Sequence, residues 1–178
     1  LTFAEFMHLA LYHPKLGYYQ QKNFTIGENA DFTTAPELSD DFARCLARQI
    51  AAIQKQIGAY DLVEFGPGTG KLAKDLHMAL KNEDALPQHY YAVEISKSLA
   101  ERQQKLLQPI FTDMALPSSW SQEYPKKARK AIIIANEVLD AMPVHLCSIR
   151  EEGAVLRGVC LVEGCLQMMD YPDVDKSL

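Results

Sequence analysis

The residue types best placed to do chemistry crowd into one glycine-rich turn, Glu64-Phe65-Gly66-Pro67-Gly68-Thr69-Gly70-Lys71. Glycines at 66 and 68 let a backbone turn sharply and approach a ligand with no Cβ in the way. Gly70 lets the start of a helix pack closely on a sheet. Two phosphate-binding readings fail on spacing. A P-loop would need glycine where Phe65 stands and a metal-binding hydroxyl where Leu72 stands. A dinucleotide fingerprint, counted from Gly66, meets Lys71 at its third glycine. A second concentration is Asn136-Glu137-Val138-Leu139-Asp140-Ala141-Met142-Pro143, where two carboxylates and an amide follow five small or apolar residues. If that segment turns helically, Glu137 and Asp140 share a face, and a carboxylate pair can bind a guanidinium bidentately and hold it in line for reaction. The plain alternative for Asp140 is a helix cap.

The spacing that fits the first loop is Glu64-x-Gly66-x-Gly68-x-Gly70, which resembles the acidic-x-Gly-x-Gly-x-Gly loop of class I S-adenosylmethionine (SAM) methyltransferases. SAM has no pyrophosphate, so its amino acid and ribose parts rest on such a loop. Glu64 then suits the ligand's ammonium group, directly or through water. Glu94, 24 residues beyond Gly70, can accept hydrogen bonds from both ribose hydroxyls. The resemblance places a residue near the adenine after the third strand, where Asp113 is the candidate, with a helix or turn cap as its alternative. It places the methyl acceptor beside Asn136, Glu137 and Asp140.

These residues need strands and helices to hold them. Asp61–Phe65 reads as a buried strand, Leu72, Ala73, Leu76 and Leu80 as the stripe of a helix ending near Asn82, and Tyr90–Ile95 as a second strand. Ser98 with Glu101 can cap a helix running to about Leu107 before Pro109. Ile110-Phe111-Thr112 reads as a brief third strand, residues 114–130 as a polar connection holding Trp120, and Ala131–Ala135 as the fourth strand. Near-continuous apolar strands alternating with helices predict an α/β fold with a parallel sheet. Ahead of it lie a helix opened by a Thr2–Glu5 capping box and a longer one from about Ser39, with Phe42, Leu46, Ile50, Ile53 and Ile57 as its apolar stripe and Gly58 as its end. Val155–Val162 and Leu166–Met169, joined at Gly164, read as an antiparallel hairpin. The predicted organisation is a helical cap over 1–58, a cofactor-binding core over 59–150 and the start of a hairpin insertion over 151–178.

Composition removes whole classes. With 178 residues, 48% hydrophobic and 23% charged, the chain is neither disordered nor a disulfide-dense scaffold. A net charge of -5 argues against nucleic acid, whose binders neutralise phosphates with Lys and Arg, and the basic run Lys126–Lys130 reads as a solvated loop. The longest aliphatic stretch, Ala131–Ala135, is far short of a membrane span. Cys160 and Cys165 lack a second metal-binding pair, none of the five histidines has metal spacing, and four cysteines fit reduced thiols in a cytosol-like compartment. The chain opens on Leu1, so further residues are expected before it.

Four segments occur in a telling order: Leu9–Pro14 with Gly17-Tyr18-Tyr19, Asp31–Glu37, Glu64–Gly70, and Ala135–Glu137 with Asp140–Val144. Together they resemble the MidA-like family of SAM-dependent methyltransferases, which includes a mitochondrial arginine methyltransferase acting in respiratory complex I assembly. In that family's pattern a glycine usually stands where this chain has Ala30. The resemblance implies a class I, Rossmann-like fold whose C-terminal part lies beyond this chain. It implies SAM as cofactor, a protein acceptor such as a respiratory-chain subunit, and methylation of an arginine side chain. The place would be the bacterial cytoplasm or, in a eukaryote, the mitochondrial matrix. Asp31, Thr33 and Glu37 would close over the site from the N-terminal side. Two rivals stand beside this reading: a non-catalytic assembly or scaffold protein keeping the fold, and a dinucleotide-dependent oxidoreductase.

Overall fold

The computed structural model describes residues 1–21, 33–128 and 130–171. In chain order the elements are α1 (Phe3–Tyr12), α2 (Ala35–Leu38), α3 (Asp41–Ile57), β1 (Asp61–Phe65), α4 (Lys71–Asn82), β2 (Tyr90–Val93), α5 (Lys97–Asp113), β3 (Ser118–Ser121), β4 (Ala131–Ile134), β5 (Cys147–Arg150), β6 (Gly153–Val162) and β7 (Cys165–Asp170). They form two compact units, one of Lys22–Leu139 and one of Leu1–Gln21 with Asp140–Leu178.

In the first unit a four-stranded sheet has the order β3-β2-β1-β4, every pair parallel. This is the α/β architecture expected from the apolar strands. Leu62, Tyr90, Ala92 and Ile134 turn one face of it toward α3, α4 and α5, and a single cluster of buried side chains fills the space. On the other face Val63 is buried while Ile133, its partner in register, is 53% exposed.

The expected boundary at residue 58 is not where the chain divides, because α3 is a core helix of the sheet unit. Its buried residues are Ala43, Ala47, Ile50 and Ala51, whereas Phe42 and Ile53 of the anticipated stripe are exposed. Small side chains let α3 lie close against α4, and interaxial distance follows side-chain size. Thr34, Pro36 and Glu37 do not begin that long helix either. Thr34 precedes, and Pro36 and Glu37 lie within, the four-residue α2, after which Ser39 is extended at φ -157°. The Ser39 hydroxyl accepts from the Asp41 N–H at 3.2 Å, the kind of local bond that competes with helix continuation.

The largest departure is around Pro109. α5 passes through it to Asp113, so Ile110-Phe111-Thr112 is helical, and β3 is the polar segment Ser118–Ser121 with Trp120. Proline inside a helix costs about 3 kcal/mol. Phe111 offsets that by burying completely, with its ring 4.8 Å from His77 and 5.2 Å from Tyr90. The cap of α5 is Ser96, whose hydroxyl accepts from Leu99 N–H, rather than Ser98.

The second unit is an antiparallel sheet in the order β5-β6-β7 with α1 packed on β6. The capping box at Thr2 and Glu5 is present in both directions. Glu163 and Gly164, both left-handed, make the tight turn between β6 and β7 where the hairpin was expected.

Candidate functional site

Parallel strands bring their carboxyl ends to one edge, and open α/β sheets use that edge for ligands. β1 delivers Glu64 and the glycine turn there, and β2 delivers Glu94 beside them. The turn is left-handed at three glycines, with φ +55° at Gly66, +57° at Gly68 and +83° at Gly70. At Gly66 space is also closed, since a Cβ there would meet Val138 Cγ2 at 2.6 Å. At Gly70 a Cβ would find ordinary contact distances of 3.4–3.6 Å, so its requirement is the backbone conformation rather than close packing. The turn closes with Gly70 N–H donating to the Pro67 carbonyl at 2.9 Å. Lys71 is bound at 2.6 Å to Asp75 one helical turn on, the arrangement of an intrahelical pair rather than a phosphate-seeking lysine.

Both acidic residues of this edge are buried. Glu64 is 2% exposed and accepts from the Tyr90 hydroxyl at 2.8 Å. Burial pushes its carboxyl up to about 7, against the opposing pull of the Tyr90 hydrogen bond. Glu94 is 7% exposed and accepts from Ser96 N–H at 2.8 Å and from Gln103 Nε2 at 3.0 Å. Burial raises its carboxyl too, opposed by those same bonds. A carboxylate offers about four acceptor positions; Ser96 N–H, Gln103 Nε2 and the Ile95 backbone N–H use three of them, which leaves capacity for a neighbouring hydroxyl. That spare acceptor fits a ribose hydroxyl, and the Gly66 cradle, which a Cβ would fill, fits a ligand lying on the backbone.

Of the cap residues, Glu37 reaches this loop directly: the Thr69 hydroxyl donates to Glu37 Oε1 at 2.5 Å. Thr33 is exposed ahead of α2, and Asp31 lies outside the described residues. Asn136 and Glu137 follow β4, with Asn136 half-buried and Glu137 exposed. Glu137 is left-handed at φ +49°, and a short 3₁₀ turn begins only at Leu139, so the helical spacing expected of Glu137 and Asp140 does not form.

Asp140 belongs to the second unit, where it meets another of the sequence motifs. There the Tyr12 hydroxyl donates to the Ala141 carbonyl at 2.8 Å, and the Tyr12 and Tyr19 rings stack at 5.5 Å. Burial and then the charge of Asp140 raise the Tyr19 hydroxyl. Asp113 is not a post-strand residue. It ends α5, where the strands begin, and its exposed carboxylate pairs with Lys81 at 3.3 Å. Among the described residues no group of three or more His, Cys, Asp or Glu could hold a metal ion.

Sequence reasoning missed Gln103, Tyr90, Ser96 and Trp120. Gln103 had one signal: it occupies the i+4 position between Leu99 and Leu107, on the stripe of α5 that is otherwise apolar.

Comparison with known proteins agrees with this geometry. Residues 45–176 match the model of a family described as S-adenosyl-L-methionine-dependent methyltransferase. A curated relative, the mitochondrial protein arginine methyltransferase NDUFAF7 of Bos taurus, is 33% identical over 176 residues, 82% of this chain and 38% of the bovine protein. The Homo sapiens protein of the same name is 31% identical over 172 residues, with the same coverage. A crystal structure of a COG1565 superfamily member from Burkholderia thailandensis, bound to S-adenosyl-homocysteine, superposes with TM-score 0.84 at 35% identity. It covers 97% of this chain and 46% of that one. The chain thus spans less than half the length of these relatives. With a family match over most of its residues, it belongs to the MidA-like S-adenosyl-L-methionine-dependent methyltransferases.

Proposed function

We propose that this chain carries the cofactor side of a protein-arginine methyltransferase. The observation that carries the reading is Glu94. It is a buried carboxylate at the end of β2, aimed by Ser96 and Gln103 and with acceptor capacity to spare beside the glycine turn. SAM supplies an activated methyl group on its sulfonium. Glu94 accepts the ribose hydroxyls, Glu64 takes the ligand's ammonium group, and Gly66, Gly68 and Gly70 let the backbone approach. Any adenine contact after the true third strand falls to Gln122 and Glu123 rather than Asp113, because β3 ends at Ser121.

Asn136, Glu137 and Asp140 are assigned to the acceptor. The Glu137 carboxylate attracts a guanidinium and balances its charge while its nitrogen is held in line with the methyl group, so that positioning provides most of the rate. Arginine as the acceptor is supported by the relatives' names. A respiratory-chain subunit as the methylated protein, and a mitochondrial or bacterial cytoplasmic location, rest on the family resemblance. Among the described residues no helix is long and apolar enough to cross a membrane.

Calorimetric titration of the complete protein with SAM tests the cofactor reading, and an absence of binding heat at millimolar ligand would sink it. Glu94→Ala should weaken binding by about 1–3 kcal/mol, the cost of leaving polar partners unpaired. Mass spectrometry of co-purifying proteins, with and without the gene, tests the acceptor reading. A methyl or dimethyl increment on arginine supports it, and unchanged arginines in every partner would favour a scaffold that binds SAM without transferring its methyl.

A further inference from the structure

Gln103 lies inside α5 with no solvent exposure, and each polar group of its amide is used. Nε2 donates to the Gly68 carbonyl at 2.9 Å and to Glu94 Oε2 at 3.0 Å, and Oε1 accepts from the Trp120 indole N–H at 3.2 Å. The partners fix which end of the amide is which. Two acceptors face the NH₂ group and one donor faces the carbonyl, so a flipped amide would lose all three bonds. One side chain thus joins the glycine turn after β1, the acid after β2 and the indole of β3.

We propose that Gln103 is a positioning residue of the cofactor site, clamping the Gly68 carbonyl and the Glu94 carboxylate so that the adenosine ribose meets acceptors already aimed. The proposal rests on the reading of Glu94 as the ribose acceptor. Two consequences separate it from simple core filling. Gln103 supplies a donor that favours the ionised form of the buried Glu94, so losing it moves the acid limit of ligand binding to higher pH. Trp120, the single tryptophan of this chain, senses the far side of the same amide, so ligand binding alters its emission. The groups facing the Glu94 carboxyl are Tyr90 on β2, itself coupled to Glu64 on β1, the backbone N–H groups of Ile95 and Ser96, and the neutral Gln103 of α5. Since Glu64 titrates near 7, the pH series belongs in a Glu64→Gln background.

The test uses the complete protein with S-adenosyl-homocysteine as the probe, followed by calorimetry and by emission. The Trp120→Phe variant is subtracted to isolate the Trp120 signal. Gln103→Met keeps the volume and loses the donors. Its affinity should fall about 10- to 100-fold, the equivalent of leaving one or two buried acceptors unmatched, with the acid limit shifted upward. Gln103→Glu should bind more weakly as pH rises through neutrality, the reverse of the parent, because the ionised form repels Glu94. A folded Gln103→Met that binds within about two-fold of the parent with the same acid limit overturns the proposal. If that variant does not fold, unchanged Trp120 emission at saturating probe overturns it instead. Glu94→Ala keeps the two readings apart. Full affinity there removes the ribose assignment itself, whereas a Glu94→Ala defect beside an unaffected Gln103→Met removes only the clamp.

Discussion

The loops after β1 and β4 are built in opposite ways, although both leave the same sheet edge. After β1, every polar side chain of the site already has a partner: Glu64 with Tyr90, Thr69 with Glu37, and through Gln103 the Gly68 carbonyl with Glu94. After β4, Asn136 is only half-buried and Glu137 is exposed and left-handed, and among the described residues no hydrogen bond holds the Glu137 side chain. In the first loop hydrogen bonds reinforce the left-handed glycines, whereas the second rests on the backbone conformation at Glu137. A surface finished before its ligand arrives suits a cofactor of constant shape. A carboxylate held out in solvent by an unfavourable φ suits a charged acceptor that completes the site on arrival, since strain of this kind persists where function needs it.

The sharpest way to break this contrast is at Gly66. A Cβ there meets Val138 Cγ2 at 2.6 Å and must also adopt φ +55°. The left-handed conformation costs a non-glycine residue about 1–2 kcal/mol, and overpacking adds about 1–3 kcal/mol. Gly66→Ala should therefore lose about 2–5 kcal/mol in denaturant unfolding and abolish detectable SAM binding. Adding Val138→Ala should recover the packing share and leave the conformational share, a separation that a double-mutant cycle reads directly. Full stability in the single variant would mean the turn is not rigid.

Glu64→Gln comes next and acts through pH. The folded carboxyl titrates near 7 against an ordinary 4.5. Between those values the native state keeps a proton that the unfolded chain has lost, so stability falls as pH rises from about 4.5 to 7, and above 7 the full cost of burying the charge is present. The glutamine variant should be more stable by about 3 kcal/mol at pH 8 and no different at pH 4, from the size of that shift. It should also bind SAM less well through the lost charge opposite the ammonium group. Equal stability at both pH values would show that Glu64 is not buried as an acid.

On the β4 side the comparable change is Glu137→Gly, which removes the cost of the left-handed backbone. It should stabilise the fold by about 1 kcal/mol and leave SAM affinity unchanged while methyl transfer is lost. Glu137→Ala should lose transfer without the gain in stability. If both variants keep full transfer, Glu137 does not face the acceptor.

The same division decides what could be read from the sequence. β1, its glycine turn, α4 and β2 were legible because each carries a local signal: apolar runs, glycines that must turn left-handed, and a helical stripe. The path from α5 into β3 was not. Pro109 signals a stop, yet the burial of Phe111 against His77 and Tyr90 carries the helix through it. Ser118-Ser119-Trp120-Ser121, an edge strand, has none of the apolar run by which an inner strand is recognised. In the site, Glu94 followed from the length of one strand–helix–strand crossover. Gln103 was hidden because a glutamine on a helix reads as surface until the packing shows which face is turned inward. The left-handed Glu137 has no sequence signature, since the strain is imposed from outside the residue.

Asp113 offers the smallest effect and the cleanest control. The sequence reading made it an adenine-side residue by placing a strand at 110–112, and that strand is a helix. What remains is a surface pair with Lys81, the two side chains 78% and 51% exposed. Pairs of this kind contribute about 0–1 kcal/mol and are screened by salt. Asp113→Ala should therefore change unfolding free energy by about 0.5 kcal/mol or less, a difference that disappears at high ionic strength. SAM affinity should stay the same, whereas a change at Gln122 or Glu123, beyond the true end of β3, should alter it. An affinity loss in Asp113→Ala would require ligand contact where the strands begin, and the assignment of the cofactor to their carboxyl ends would then be wrong.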